Sequence, residues 1–288
     1  MAERRSLSTA TVHADEVARF LDVHFAVEDG APPAVARLYQ AVRYSLLQEG
    51  GKRFRPVLAM WTAEALGLDP KLTLPFAAAV ECVHTYSLIH DDLPAMDNDD
   101  FRRGQPSNHK KFDEATAILA GDGLLTEAFQ IIAEHYGQEP EIALKLVSLL
   151  AQASGLRGMV GGQAIDMASK ADGGALEDVR VMHSLKTGAL IAASAKGAAI
   201  ACGATSQELV EISEYAESLG LAFQVADDLL DFDLAKPEPG SYPALIGPNE
   251  TRAFLNRLTE TCLNSLSNWP AAAEPLREIA IYNRDRQL

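Results

Sequence analysis

Two aspartate clusters stand out in the 288-residue chain, each beside an apolar stretch with helical spacing. The first reads His90-Asp91-Asp92-Leu-Pro94-Ala-Met-Asp97-Asn98-Asp99-Asp100 and follows directly on the apolar run Pro75 to Ile89. Pro94 disfavours helix at Leu93 and predicts that the helix ends there. Asp91 and Asp92 then fall in its last turn, where the backbone dipole favours cations over carboxylates. Two anions at that end are costly unless a positive group neutralises them. A divalent cation would do so, and hard oxygen donors suit Mg²⁺, which keeps several waters and shares phosphate oxygens. Asp97 would face ~120° away from Asp91 on a straight helix, so a break at Pro94 is needed to bring it back to the same ion.

Arg102-Arg103-Gly104 follows at once. Adjacent arginines on one segment point in different directions and suit two separate phosphates better than one. The second cluster is Phe223-Gln224-Val-Ala-Asp227-Asp228-Leu-Leu-Asp231-Phe-Asp233. Gln224, Asp227, Asp228 and Asp231 occupy i, i+3, i+4 and i+7, one stripe of a helix, where like charges repel unless ions lie between them. One such stripe is often a wet helix face. Two separate Asp-Asp pairs ending apolar helices are far more specific to metal and diphosphate.

These residues must be positioned by helices. Apolar residues recur at three- and four-residue steps in 15–28, 34–48, 54–66, 75–92, 113–135, 140–169, 177–203, 206–233 and 250–266, and sustained two-residue alternation is absent. Breaks fall at Gly30-Ala-Pro-Pro, Gly50-Gly51, Gly67–Pro70, Asp172-Gly-Gly and Pro237–Pro243, none long enough to be an interdomain linker. The expectation is one all-α domain over 1–288, a bundle of about ten helices around a central cavity. Segments 140–165 and 186–203 are apolar around most of their circumference and are expected in its middle. Small residues at Gly158–Gly162 and Ala192–Ala199 would let neighbouring helices approach closely.

Composition narrows the function. The chain carries 25 Lys and Arg against 40 Asp and Glu, a net charge of −15. That balance excludes non-specific nucleic-acid or anionic-membrane binding, which needs a basic face, but not anionic substrates held through metal ions. Cys82, Cys202 and Cys262 show neither close pairing nor metal spacing, as in a reduced intracellular setting. No secretory signal is evident and no apolar run is expected to span a membrane, so the expectation is a cytoplasmic protein.

With both clusters in view, the chain resembles the trans-isoprenyl diphosphate synthases, the farnesyl and geranylgeranyl diphosphate synthase family. The resemblance rests on Gly50-Gly-Lys-Arg-Phe-Arg-Pro56, His84, Asp91–Asp97 with Arg102-Arg103-Gly104, Gly161-Gly-Gln163, Lys186-Thr187-Gly188 and Gln224–Asp231, in that order. It implies three Mg²⁺ ions, two held by Asp91, Asp92 and Asp97 and a third by Asp227 with Asp228 and Asp231 near. It implies an allylic diphosphate site completed by Arg102, Lys186, Thr187 and Gln224. Lys52, Arg55, His84 and Arg103 would hold isopentenyl diphosphate, with Gln163 and Asp166 supporting. A homodimer is usual in the family.

On the same logic Tyr86 and Ser87, five and four residues before Asp91, form the floor of the pocket. A bulky Tyr86 favours a C15 product, whereas the Asn98 and Asn108 context also occurs in geranylgeranyl synthases. The family's Gly- and Lys-rich loop after the second cluster is much shorter here, either by a true deletion or because residues are missing from the sequence, and Lys236 is the one lysine in Asp231–Tyr242. Tyr282-Asn-Arg284-Asp-Arg286 could close over isopentenyl diphosphate. The rival readings are a non-catalytic homologue regulating a partner subunit and a terpene cyclase. Intact Asp clusters oppose the first; the Lys52, Arg55 and His84 set opposes the second.

Overall fold

A computed structural model describes residues 2–286 apart from Glu49, Lys52, 173–175 and 236–239, so the expectations for Lys52 and Lys236 lie outside the described residues. The chain runs α1 (Ala2–His24), α2 (Pro33–Leu46), α3 (Phe54–Ala65), α4 (Leu74–Asp91), a minimal hairpin of β1 (Phe101–Arg102) and β2 (Gln105–Pro106), α5 (Asn108–Lys111) and α6 (Glu114–Tyr136). It continues through α7 (Pro140–Ser154), α8 (Met159–Asp172), α9 (Leu176–His183), a π-helical turn at Ser184–Gly188, α10 (Ala189–Ala201) and α11 (Ser206–Leu230). The short α12 (Tyr242–Ile246), α13 (Pro248–Ser265) and α14 (Glu274–Asp285) complete it. The protein is all-α, as expected, with more helices than the ten anticipated.

Local chemistry sets the boundaries. Asp113 accepts from the Thr116 N–H at 2.7 Å and starts α6. Thr205 and Glu208 form a reciprocal capping box at the start of α11. Pro33, Pro140 and Pro248 open α2, α7 and α13, where the missing N–H has no helical partner to lose.

α10 is the axis of the bundle, packed against α3, α4, α7 and α11. Leu190, Ile191, Ala193, Ala195, Ala198 and Ala199 are all buried there. Its small residues act as anticipated: a Cβ at Gly197 would come within 2.0 Å of the Phe76 ring, so α4 seats its phenylalanine against bare backbone. The expectation for 140–165 fails. The segment breaks at residues 155–158, and α7 buries one stripe, including Leu146 and Leu150, while Leu144 is 70% exposed. Abundant Leu and Ala made an amphipathic helix look apolar all round.

The membrane expectation also needs correction. Two helices, Pro70–Asp91 and Glu114–Tyr136, are long and apolar enough to span a bilayer by length and composition. Two-thirds of the first one's apolar window is buried in the bundle, the environment that explains its composition, against 39% for the second.

One interaction beneath the site was not foreseen. Arg53, in the left-handed region at φ 47°, precedes α3 and turns its guanidinium inward onto Glu81 of α4 and the Leu46 carbonyl. Both side chains are almost fully buried. Removing one partner of such a pair leaves an uncompensated charge in the interior. Glu81→Ala is expected to cost about 3–5 kcal/mol of stability, read from denaturant unfolding.

Candidate active site

α4 ends at Asp91, with Asp92 as its cap residue, two residues ahead of Pro94. After the break the chain folds back, and the Asp97 N–H donates to the Asp91 carbonyl at 2.8 Å. Asp91 is pushed up to about 6 by burial and by the neighbouring Asp97 and Asp92, against the opposing pull of Lys186 and Arg102. Asp92, 2% exposed, is likewise raised by burial, although Arg102 grips it through both Nε (2.9 Å) and Nη2. Arg102 also reaches Asp99 at 3.2 Å.

The hairpin that presents the two arginines is pinned to α2. Gln48 donates to the Arg102 carbonyl at 2.9 Å, Tyr44 to the Pro106 carbonyl at 2.7 Å, and Asn108 to the Ala41 carbonyl at 2.8 Å. Arg103 takes a left-handed backbone, φ 51°, and its guanidinium lies over Gly51, where a Cβ would come within 2.8 Å of Nη1. The arginines therefore diverge, Arg102 toward the carboxylates and Arg103 toward the Gly50-Gly51 turn.

Around that turn the charge reverses. Burial presses Arg55 down to about 10, with Glu81 opposing, and its buried Nε has no partner among the described residues. Burial also lowers Arg103. His84 is held well below the usual histidine range by burial and then by Arg55, Arg103, Arg53 and Arg102, so its imidazole is neutral. Four guanidiniums crowd this corner, and Glu81, the acid that acts on Arg55 and Arg103, is already bonded to Arg53. Such a corner is short of an anion.

Between the two halves lies the π-helical turn at Ser184–Gly188, the irregularity anticipated at Thr187-Gly188. π-turns of this kind gather at functional sites because they re-aim side chains out of the helical ladder. Lys186 Nζ meets Asp166 Oδ2 at 2.6 Å and acts on Asp91. Thr187 donates to Gln224 Oε1 at 3.2 Å. The turn can sit this close because α8 and α11 present glycine to it: a Cβ on Gly162 would fall 2.2 Å from the Lys186 nitrogen, and one on Gly220 2.9 Å from the Gly188 Cα. Both polar atoms of the buried Gln163 amide lack partners among the described residues.

The second cluster is less uniform than its spacing suggests. Asp228 accepts from Gln224 Nε2 at 3.1 Å and from the Tyr242 N–H at 2.9 Å, while His183 Nε2 lies 3.5 Å away. Burial pushes this carboxyl up, but those donors outweigh it and hold Asp228 below the usual range. His183 stacks on the Tyr242 ring at 5.6 Å. Asp227, raised by burial, takes Arg286 Nη2 at 2.6 Å, and Asp231 caps α11 at the surface. In the 282–286 tail, expected to close over isopentenyl diphosphate, Arg286 turns to Asp227 and Arg284 pairs with Asp285.

His183, Tyr242 and Glu81 were thus missed, and Arg53 and Arg286 were named without these contacts. His183, three residues before Lys186, was the one with a signal nearby.

Among the described residues no three His, Cys, Asp or Glu side chains converge closely enough to hold a metal alone. That suits Mg²⁺, which takes one or two carboxylates and fills its shell with water and phosphate oxygens. Raised Asp91 and Asp92 on one side, with the orphan Arg55 Nε and Gln163 amide elsewhere in the site, fit a metal–diphosphate and a second diphosphate.

Fold and site together define an all-α prenyltransferase of the isoprenoid synthase type. The chain belongs to the polyprenyl synthetase family, which it matches over residues 35–239. It is 48% identical to the farnesyl diphosphate synthase of Geobacillus stearothermophilus across 76% of this chain and 79% of that one. It is 40% identical to a chloroplastic geranylgeranyl pyrophosphate synthase of Catharanthus roseus, over 85% and 73% of the two chains. The crystal structure of an FPP/GFPP synthase from Zymomonas mobilis superposes with a TM-score of 0.88 at 38% identity, covering 98% of this chain and 99% of the other.

The raised Asp91 carboxyl has a measurable consequence in the metal-free protein. Its folded pKa, about 6, exceeds the ordinary 3.8, so between those values the folded state keeps a proton that the unfolded chain has lost. Stability from this group is complete below 3.8 and is lost as pH rises through about 6. Asp91→Asn should therefore gain roughly 2 kcal/mol relative to the parent between pH 4 and pH 7, read by urea unfolding with metal chelated.

Proposed function

We propose that the protein condenses isopentenyl diphosphate head to tail with an allylic diphosphate, dimethylallyl and then geranyl, to give farnesyl diphosphate and diphosphate. The observation that carries this reading is the division of the site: carboxylates raised by burial at the ends of α4 and α11, and guanidiniums short of an anion beside His84. A terpene cyclase has no use for the second half.

Asp91, Asp92 and Asp97 would hold two Mg²⁺ ions, and Asp227, supported by Asp228 and Asp231, a third. Bound Mg²⁺ supplies charge that stabilises a departing diphosphate. Arg102, Lys186, Thr187 and Gln224 orient the allylic diphosphate and add hydrogen bonds as negative charge develops on it. Lys52, Arg55, His84 and Arg103 hold isopentenyl diphosphate with its double bond toward the allylic carbon; a neutral His84 can donate from one nitrogen. Gln163 and Asp166 hold the Lys186 side of the site. The new C–C bond forms from that double bond, and the released diphosphate takes the proton then lost. Apolar walls exclude water, which would otherwise quench the cation.

Tyr86, 6% exposed and packed edge-on against His90 at 5.8 Å, would stop growth at C15. A C20 product is the second reading, favoured by the likeness to a geranylgeranyl pyrophosphate synthase. With isopentenyl and dimethylallyl diphosphates and Mg²⁺, chromatography and mass spectrometry should identify a C15 product, and Tyr86→Ala should shift it to C20 or longer. No elongated product from folded protein would leave the regulatory-subunit reading in its place; an unchanged C15 product from the variant would remove Tyr86 as the stop.

The reading places the whole chain in one cytoplasmic catalytic unit that pairs as a homodimer. Its thiols are free, with Cys82 and Cys262 buried. α6 leaves Ile118 44% and Leu119 54% exposed on a helix apolar enough to span a bilayer, surface better explained by a second copy. Light scattering after gel filtration should give twice the chain mass, and Leu119→Glu should shift it toward the monomer.

A further inference from the structure

The contact between Arg286 and Asp227 joins residues 59 positions apart, and neither is simply a surface charge. α14 ends at Asp285, and Arg286 leaves it in an extended conformation, φ −58° and ψ 138°. Upstream the segment is anchored, because Arg252 Nη1 donates to the Arg284 carbonyl at 2.8 Å. Beyond that anchor one side chain turns inward. Arg286 Nη2 lies 2.6 Å from Asp227 Oδ1 and donates to the Phe223 carbonyl at 3.0 Å. The guanidinium sits 4.6 Å above the Phe223 ring, which itself stacks at 5.1 Å on Phe54, next to Arg55. Among the described residues, Arg286 Nε is buried there without a partner.

The three aspartates of the second cluster have different surroundings. Asp228 already accepts from Gln224 and Tyr242, and Asp231 is exposed. Asp227 is the half-buried carboxylate that faces a cation, and that cation comes from the protein itself. A divalent ion on Asp227 and a guanidinium 2.6 Å from the same carboxylate are like charges in a poorly solvated pocket and repel strongly. Only one can hold the position. The orphan Nε marks a seat that satisfies the guanidinium incompletely, and the anchor at Arg284 lets Arg286 leave without moving α14.

We propose that Arg286 is a resident cation of the second carboxylate cluster: it neutralises Asp227 in the unloaded protein and is displaced when a metal–diphosphate binds there. Loading of the site and release of the segment after Asp285 are then one event. The inference rests on the reading of Asp227 as a ligand for metal–diphosphate.

Inorganic pyrophosphate with MgCl₂ tests it on the full chain, with calorimetry for affinity and hydrogen–deuterium exchange of peptides covering 280–288 for the segment. Adding both should speed amide exchange after Asp285. Arg286→Gln, checked for native helicity, should bind magnesium pyrophosphate about 5-fold or more tightly, because a competitor is gone. Asp227→Asn should speed the same exchange without any ligand. Binding by the parent chain with exchange after Asp285 unchanged or slowed, or equal or weaker binding by Arg286→Gln, overturns the inference alone. No binding by the parent chain would remove the diphosphate reading and this inference with it.

Discussion

Uncompensated charge at the edge of a helical bundle is the constraint from which the rest of the site follows. At the end of α4, Asp91, Asp92 and Asp97 lie where the helix dipole is already negative, and burial raises Asp91 and Asp92. Beside them Arg53, Arg55, Arg102 and Arg103 act together on His84 with the opposite sign. These groups cannot simply pair off, because Arg102 alone of the four bridges to the carboxylates while Arg53 is spent on Glu81. Two opposite charge surpluses are thereby held apart in one site. Nothing in the interior of a stable bundle benefits from that separation; a ligand carrying both divalent cations and phosphate anions does.

Keeping the surpluses apart requires close packing behind them. Arg53 and Glu81 fix the start of α3 against α4, so the Gly50–Arg55 turn has a firm base. The π-turn brings Lys186 to Asp166 and within electrostatic reach of Asp91, and it approaches α8 and α11 through Gly162 and Gly220. A side chain at either glycine would push the turn outward and take Lys186 with it. The small residues, unremarkable by composition, set the distance at which the cationic group operates.

What was legible in the sequence was local. The Pro94 break, the return of Asp97, the divergence of Arg102 and Arg103, the turn at Gly50 and the irregularity at Thr187-Gly188 are each encoded within a few residues, and each is present. What was hidden was long-range. Arg53 and Glu81 are 28 residues apart, and Asp228 and Tyr242 are joined by a backbone N–H that no side-chain pattern announces. Arg286 was read only as part of a tail that could close over isopentenyl diphosphate, because its partner is 59 residues upstream. The misreading of 140–165 has another origin. Leu and Ala serve equally as core and as helix-forming surface residues, so periodicity blurs when both faces are apolar.

The two aspartate pairs, alike in sequence, are therefore unlike in physics. At the first pair both carboxylates are raised, with Lys186 acting on Asp91 and Arg102 bonded to Asp92, so the site gains by taking up more positive charge. In the second, hydrogen bonds from Gln224 and Tyr242, with His183 alongside, make Asp228 a comfortable anion, and only Asp227 stays raised. An aspartate already held by His183 and by hydrogen bonds gains less from a metal than a raised one, for which neutralisation removes the cost of burial. The Tyr242 N–H belongs to α12, so its bond to Asp228 ties α12 to α11. The second cluster is thus braced from both sides, by α9 through His183 and by α12 through Tyr242.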